Sequence, residues 1–179
     1  MKLTTDDNEF DSELTQGQLQ NEYPEGLVIQ PGGGEAVWLL DELLVFKIGG
    51  VETGDSIGFI EATARPGGGP PLHSHHMQTE AFYVLEGELT VKVGAQTRKI
   101  SSGSFVLVPP GVGHAYRVES KEPAKLLAMY TPPRVLDYFR EVGEAAPVKT
   151  LPPEELIPDL ERYVERGIRY STEIIGPPI

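Results

Sequence analysis

Residues 67–87 read GGGPPLHSHHMQTEAFYVLEG, and residues 103–114 read GSFVLVPPGVGH. As spacings these are G-x5-H-x-H-x4-E-x6-G and G-x5-P-x-G-x2-H. All four histidines of the chain, His73, His75, His76 and His114, fall inside the two stretches, a distribution that chance clustering explains poorly. With Glu80 beside them they make the nitrogen and oxygen donor set of a metal site. Successive side chains of a strand face opposite ways, so His73 and His75 share a face while His76 points to the surface. A turn through Met77, Gln78 and Thr79 is expected to bring Glu80 back to the same point, with His114 arriving from another strand. Gly67, Gly87, Gly103 and Gly111 suit turns that need positive φ, and Pro109 pre-sets the bend before His114.

Around these stretches the chain has the texture of a β protein. Short segments rich in Val, Ile, Leu, Phe and Tyr recur at 37–40, 43–48, 57–64, 80–85, 88–93, 96–100, 104–108, 114–118 and 124–130. Each is cut off by Gly, Pro, Asp or Ser, the pattern of an antiparallel barrel or sandwich. Glycines number 20 and prolines 16, more than a helical bundle tolerates. Residues 1–36 are polar and acidic and are expected to form an extended arm, 37–131 the barrel, and 132–179 a helical tail. In that tail Pro132 and Pro133 suit a helix start, Val135, Leu136, Phe139 and Val142 share a face, and Gly143 suits the stop. That helix could cap the barrel mouth or pack on an outer sheet. A second helix is expected from the spacing of Leu156, Ile157, Leu160, Tyr163 and Val164, with Pro158 near its first turn and Gly167 at its end. Ile174, Ile175, Pro177, Pro178 and Ile179 read as a tail docked on the barrel or on a neighbouring subunit.

Composition narrows the function classes. Fifteen basic against 27 acidic side chains give a net charge of -12, which repels phosphate and speaks against nucleic acid or an anionic membrane as partner. Without cysteine there are neither disulfides nor thiolate ligands. No apolar run approaches the ~18 residues of a membrane span, and the polar N-terminus lacks the core of a signal peptide, so a cytoplasmic protein is expected. The acidic pairs Asp6-Asp7 and Glu154-Glu155 read as solvated surface or helix N-terminal charges. Glu61 and Lys47, inside apolar strands, are expected to face solvent or to pair inside the barrel.

The two quoted stretches resemble the paired signature of the cupin superfamily, over about residues 37–130. The resemblance implies an all-β, antiparallel jelly-roll barrel binding one divalent transition metal through His73, His75, Glu80 and His114. Fe, Mn, Ni, Co and Cu suit such ligands, and Zn is possible. Where the second signature often ends in Asn, this chain has Val118, a position usually treated as structural. The H-S-H-x4-E spacing, the string GVGHAYR at 111–117 and the helical tail are similar to single-domain quercetinase-type cupins, the flavonol 2,4-dioxygenases. That likeness implies a flavonol bound to the metal through its 3-hydroxyl oxygen, Glu80 as the base taking its proton, and attack by O2 that opens the ring with loss of carbon monoxide. If Glu80 faces inward so do Phe82 and Val84, and His114 brings Tyr116 and Val118 inward. Phe82 and Tyr116 would then flank an aromatic substrate or simply fill the core. Phe59 and Met129, with Phe46, are further pocket candidates on strands whose facing no ligand anchors. The same donor set is compatible with a non-catalytic binder or sensor, or with an isomerase, decarboxylase or hydrolase. The polar arm and the proline-rich tail suit a homodimer, as is common among single-barrel cupins.

Overall fold

Strand formation follows the two-residue alternation of the sequence. In the computed structural model, which describes residues 26–179, the chain runs through β1 (Ala36–Leu39), β2 (Glu42–Ile48), a one-turn helix α1 (Gly50–Thr53), β3 (Gly58–Ala64), β4 (His73–His75) and β5 (Thr79–Glu86). It continues through β6 (Glu88–Val93), β7 (Gln96–Ser101), β8 (Phe105–Val108), β9 (His114–Val118) and β10 (Ala124–Thr131). Then come α2 (Val135–Val142), β11 (Glu144–Ala145), α3 (Leu160–Gly167), a 3-10 turn at Ile168–Tyr170 and β12 (Thr172–Ile174). The nine expected strands are all present, with ends within one residue of those read from the sequence. The expected arm before residue 26, with its Asp6-Asp7 pair, lies outside the described residues.

The strands form two antiparallel sheets, ordered β11-β1-β2-β3-β10-β5-β8 and β12-β4-β9-β6-β7. β3 and β10 alternate buried with half-exposed residues along their length, so each turns one face inward. Ile60, Ala62, Phe82, Val84, Leu126 and Ala128 of the first sheet meet Leu89, Val91, Tyr116 and Val118 of the second in one core. β2 is buried on both faces along Glu42–Phe46, and its ladder with β1 extends backward: Phe46 N–H donates to Glu35 O at 2.8 Å, and Gly34, at φ +109, sits against the Phe46 carbonyl. All four turn glycines singled out in the sequence, at 67, 87, 103 and 111, have positive φ.

The C-terminal segment is woven into this framework, supplying an edge strand to each sheet: β11 pairs with β1, and β12 with β4. Neither was expected from the sequence, because two- and three-residue strands are too short to show alternation. The tail after β12 docks on the barrel through Leu72, whose carbonyl accepts from Ile175 and Gly176 and whose N–H donates to Pro177 O. Helix α2 starts at Val135, two residues after the expected Pro133, ends at Val142 and buries the expected face, with Tyr138 as a further buried member; its hydroxyl donates to Tyr163 O at 2.6 Å. Gly143 ends α2 in an extended conformation, not a left-handed cap. Its role is close approach, since a Cβ there would stand 2.7 Å from Phe139 O.

The second helix corrects the sequence expectation. It begins only at Leu160, where the Asp159 side chain caps it by accepting from the Arg162 N–H at 2.9 Å. Leu156, Ile157 and Pro158 precede it, and Leu160 and Val164 are exposed, so Tyr163 alone of the expected apolar face is buried. Proline at 158 disfavours the helical region at Ile157 before it, so the helix forms only beyond the proline. Glu61 and Lys47 pair with each other at 3.6 Å on the outer face of the sheet.

Candidate metal centre

His73 and His75 lie on β4, and His114 lies opposite His73 on β9 of the same sheet. Glu80 comes from β5 of the facing sheet after the bend at His76 and Met77. Strand parity therefore aims three imidazoles from one layer at one carboxylate from the other. All four side chains are buried, and their ligand atoms lie within 4.8 Å of one another. Glu80 Oε2 is 3.0 Å from His114 Nε2 and 3.3 Å from His75 Nε2.

Contacts behind the rings fix which nitrogen faces the centre. His73 Nδ1 is 2.8 Å from Pro71 O, and His114 Nδ1 is 2.9 Å from Val112 O. A carbonyl only accepts, so both Nδ1 atoms carry a proton and both Nε2 atoms face the cluster. His75 Nδ1 is 2.8 Å from Thr172 Oγ1 on β12, while its buried Nε2 makes no well-aligned hydrogen bond, its polar neighbour being Glu80 Oε2 at 3.3 Å. An orphaned buried nitrogen is costly unless something else takes its lone pair, and a cation at the centre of the four groups would do so. The donor set thus fits a divalent transition metal.

Electrostatics agree with that use. Burial, with the neighbouring His114 and His75, pushes His73 down to about 3, so its ring stays neutral. Burial alone would raise the Glu80 carboxyl, but His114 and His75 outweigh it and hold the group well below its usual range, ionised. Burial likewise opposes charge on His114, and the Glu80 carboxylate beside it overcomes that and raises it. A metal would displace the His114 proton, because only the neutral ring ligates.

The centre opens into a cavity of about 530 Å³, its open mouth included, with His73 and Glu80 in its wall. Phe82 and Tyr116, expected to face inward, both line it, with ring centroids 6.1 Å apart. Phe139 of α2 also lines it, its ring centroid 5.6 Å from that of Tyr130, so α2 contributes to the cavity wall while also packing against β1. Phe59 and Met129 do not line it, which corrects their reading as pocket residues. They are register partners on the outward face of β3 and β10, while Ile60, Ala128 and Tyr130 take the inward positions. Phe46 is buried in the core under the Arg140 guanidinium, 4.2 Å from its ring centroid, away from the lining. His76 faces outward as parity requires and pairs with Glu173 at 3.0 Å.

Sequence reasoning missed Glu42. It opens β2 with its side chain inward like that of Leu44, 7 % exposed, and accepts a hydrogen bond from the Tyr116 hydroxyl. Its alternation with Leu44 and Phe46 was the available signal. Burial raises its carboxyl to about 8 despite the Tyr116 hydrogen bond. A carboxyl raised on folding contributes no cost below its unfolded value near 4.5, and stability then falls as pH rises toward about 8. The slope from this one group approaches ~1.4 kcal/mol per pH unit in that window. Glu42→Gln is therefore expected to match the wild-type melting temperature near pH 4.5 and exceed it at pH 8. Parallel melting curves across that range would count against the assignment.

A two-layered antiparallel barrel that aims three histidines and a glutamate at one interior point is the architecture of a cupin jelly roll, and the chain is similar to cupins in sequence as well as in fold. The cupin-domain model matches residues 60–130. The chain is 28% identical over 128 residues to quercetin 2,3-dioxygenase of Bacillus subtilis (strain 168), a match covering 69% of this chain and 37% of that protein. It is 37% identical over 93 residues to germin-like protein subfamily 2 member 2 of Arabidopsis thaliana, covering 48% of this chain and 41% of that protein. The matches thus span less than half the length of either relative. Among solved structures, KdgF from Halomonas sp. superposes with a TM-score of 0.54 at 13% identity over 60% of this chain and 94% of that one, a likeness of fold. No helix among the described residues is long and apolar enough to cross a membrane.

Proposed function

We propose that this chain is a metal-dependent cupin dioxygenase of the quercetinase type, opening a flavonol or similar aromatic enol with O2. The observation that carries the reading is the position of Glu80: an ionised carboxylate among three imidazoles in the wall of a cavity lined by Phe82, Tyr116, Tyr130 and Phe139. Similarity to quercetin 2,3-dioxygenase supports it. Bound at His73, His75, Glu80 and His114, a divalent Fe, Mn, Ni, Co or Cu ion would acidify the enol and open a redox path to O2.

The chain's own residues do the rest. Glu80 accepts the enol proton at a carboxylate oxygen, a transfer that needs a strongly acidified hydroxyl because the carboxylate is itself a weak base. Phe82 and Tyr116 hold the flat ring system, and Phe139 limits water at the cavity. The working unit is taken to be a homodimer, with a small aromatic substrate and O2 as its partners.

The test is elemental analysis of the purified protein, followed by reconstitution with each metal and measurement of O2 uptake and carbon monoxide release on quercetin. Uptake coupled to release is the expected result with at least one redox-active metal. Zinc as the sole native metal, with no uptake under any reconstitution, would replace the reading with an isomerase, decarboxylase, hydrolase or ligand-binding cupin.

A further inference from the structure

Glu42 is the buried acid that the metal chemistry leaves unused. It lines the same cavity as His73 and Glu80, and among the described residues its only hydrogen bond is the one Tyr116 donates to Oε1. No cation compensates it among those residues. Lys47 is engaged with Glu61, and Arg65 donates to backbone oxygens of Asp41 and Pro152. A carboxyl in an apolar cavity without a counter-ion costs more than leucine or glutamine would, so fold stability does not account for it. What such a group offers is recognition: one oxygen held by Tyr116, the other without a partner among the described residues.

We propose that Glu42, oriented by Tyr116, is the specificity-determining residue of the cavity. It binds a hydroxyl of an aromatic substrate other than the one at the metal centre, so polyhydroxylated aromatic enols are preferred over singly hydroxylated ones. This rests on the dioxygenase reading for the direction in which the substrate lies. Its neutral form, favoured by burial, can donate as well as accept. A site that hydrogen-bonds a hydroxyl rejects the analogue lacking it, because the buried polar group is then left unpaired.

The experiment compares quercetin, which carries further hydroxyls, with 3-hydroxyflavone, which carries only the enol. Dissociation constants are measured by calorimetry on the metal-loaded protein without O2. Wild type is expected to favour quercetin by about tenfold or more, the effect of one good buried hydrogen bond. In Glu42→Leu the ratio falls toward one. Glu42→Leu combined with Tyr116→Phe removes both polar partners and is expected to melt at or above the wild-type temperature with the same collapsed ratio. A lowered melting temperature or loss of folding in that double variant would make Glu42 structural and overturn the inference. A wild-type ratio near one, or a ratio retained in either variant, also overturns it and leaves the dioxygenase reading intact, since both flavonols still bind. Failure of the wild type to bind either flavonol overturns both.

Discussion

Glu80→Ala is expected to lose metal and turnover together. Glu80 is the only acid among the four clustered groups, and it supplies the negative charge that three neutral imidazoles cannot. Disturbing groups that merely orient metal ligands typically costs 10- to 100-fold in affinity, so deleting a ligand should cost at least about 100-fold. Oxygen uptake with quercetin should fall below about 1% of wild type even when metal is forced in by excess, because the proton acceptor has gone too. Metal titration and an oxygen electrode separate the two roles. Turnover at the wild-type rate in a metal-saturated Glu80→Ala protein would sink its role as base. Unchanged metal affinity would sink its role as ligand.

That prediction draws on the part of the molecule most legible in the sequence. Two-residue parity needs only a strand and one anchored residue, and it placed His73, His75, Glu80, Phe82, His114 and Tyr116 inward and His76 outward. Parity failed where no anchor existed. Phe59 and Met129 lie on strands that alternate cleanly, yet nothing in the chain says which phase faces inward, and the structure gives the inward positions to Ile60, Ala128 and Tyr130. Glu42 escaped because a charge at the start of an apolar run reads as a strand boundary. Thr172 escaped for a different reason: its partner, His75, is 97 residues away, and no local pattern encodes a contact of that separation.

Removing residues 171–179 is accordingly expected to damage the metal centre from outside it. β4 is only three residues long, and its single register pair with β9 is His73 with His114. Its longer partner is β12, where Thr172, Glu173 and Ile174 stand opposite His75, Ser74 and His73. Ser171 O also accepts from the His76 N–H at 2.7 Å. Without the tail, β4 becomes a poorly held edge, two of the four ligands lose their backbone support, and the His75 ring loses the hydroxyl that orients it. Metal affinity should fall at least about 100-fold, with a clear drop in melting temperature. Thr172→Val separates the two contributions, because it keeps the strand and removes only the contact between Oγ1 and Nδ1. That variant is expected to lose about 10- to 100-fold in metal affinity with little change in melting temperature of the metal-free protein. Wild-type affinity in the valine variant alongside a damaged truncation would assign the tail's effect to strand pairing alone. Wild-type affinity in both would mean that the barrel holds its histidines without the tail.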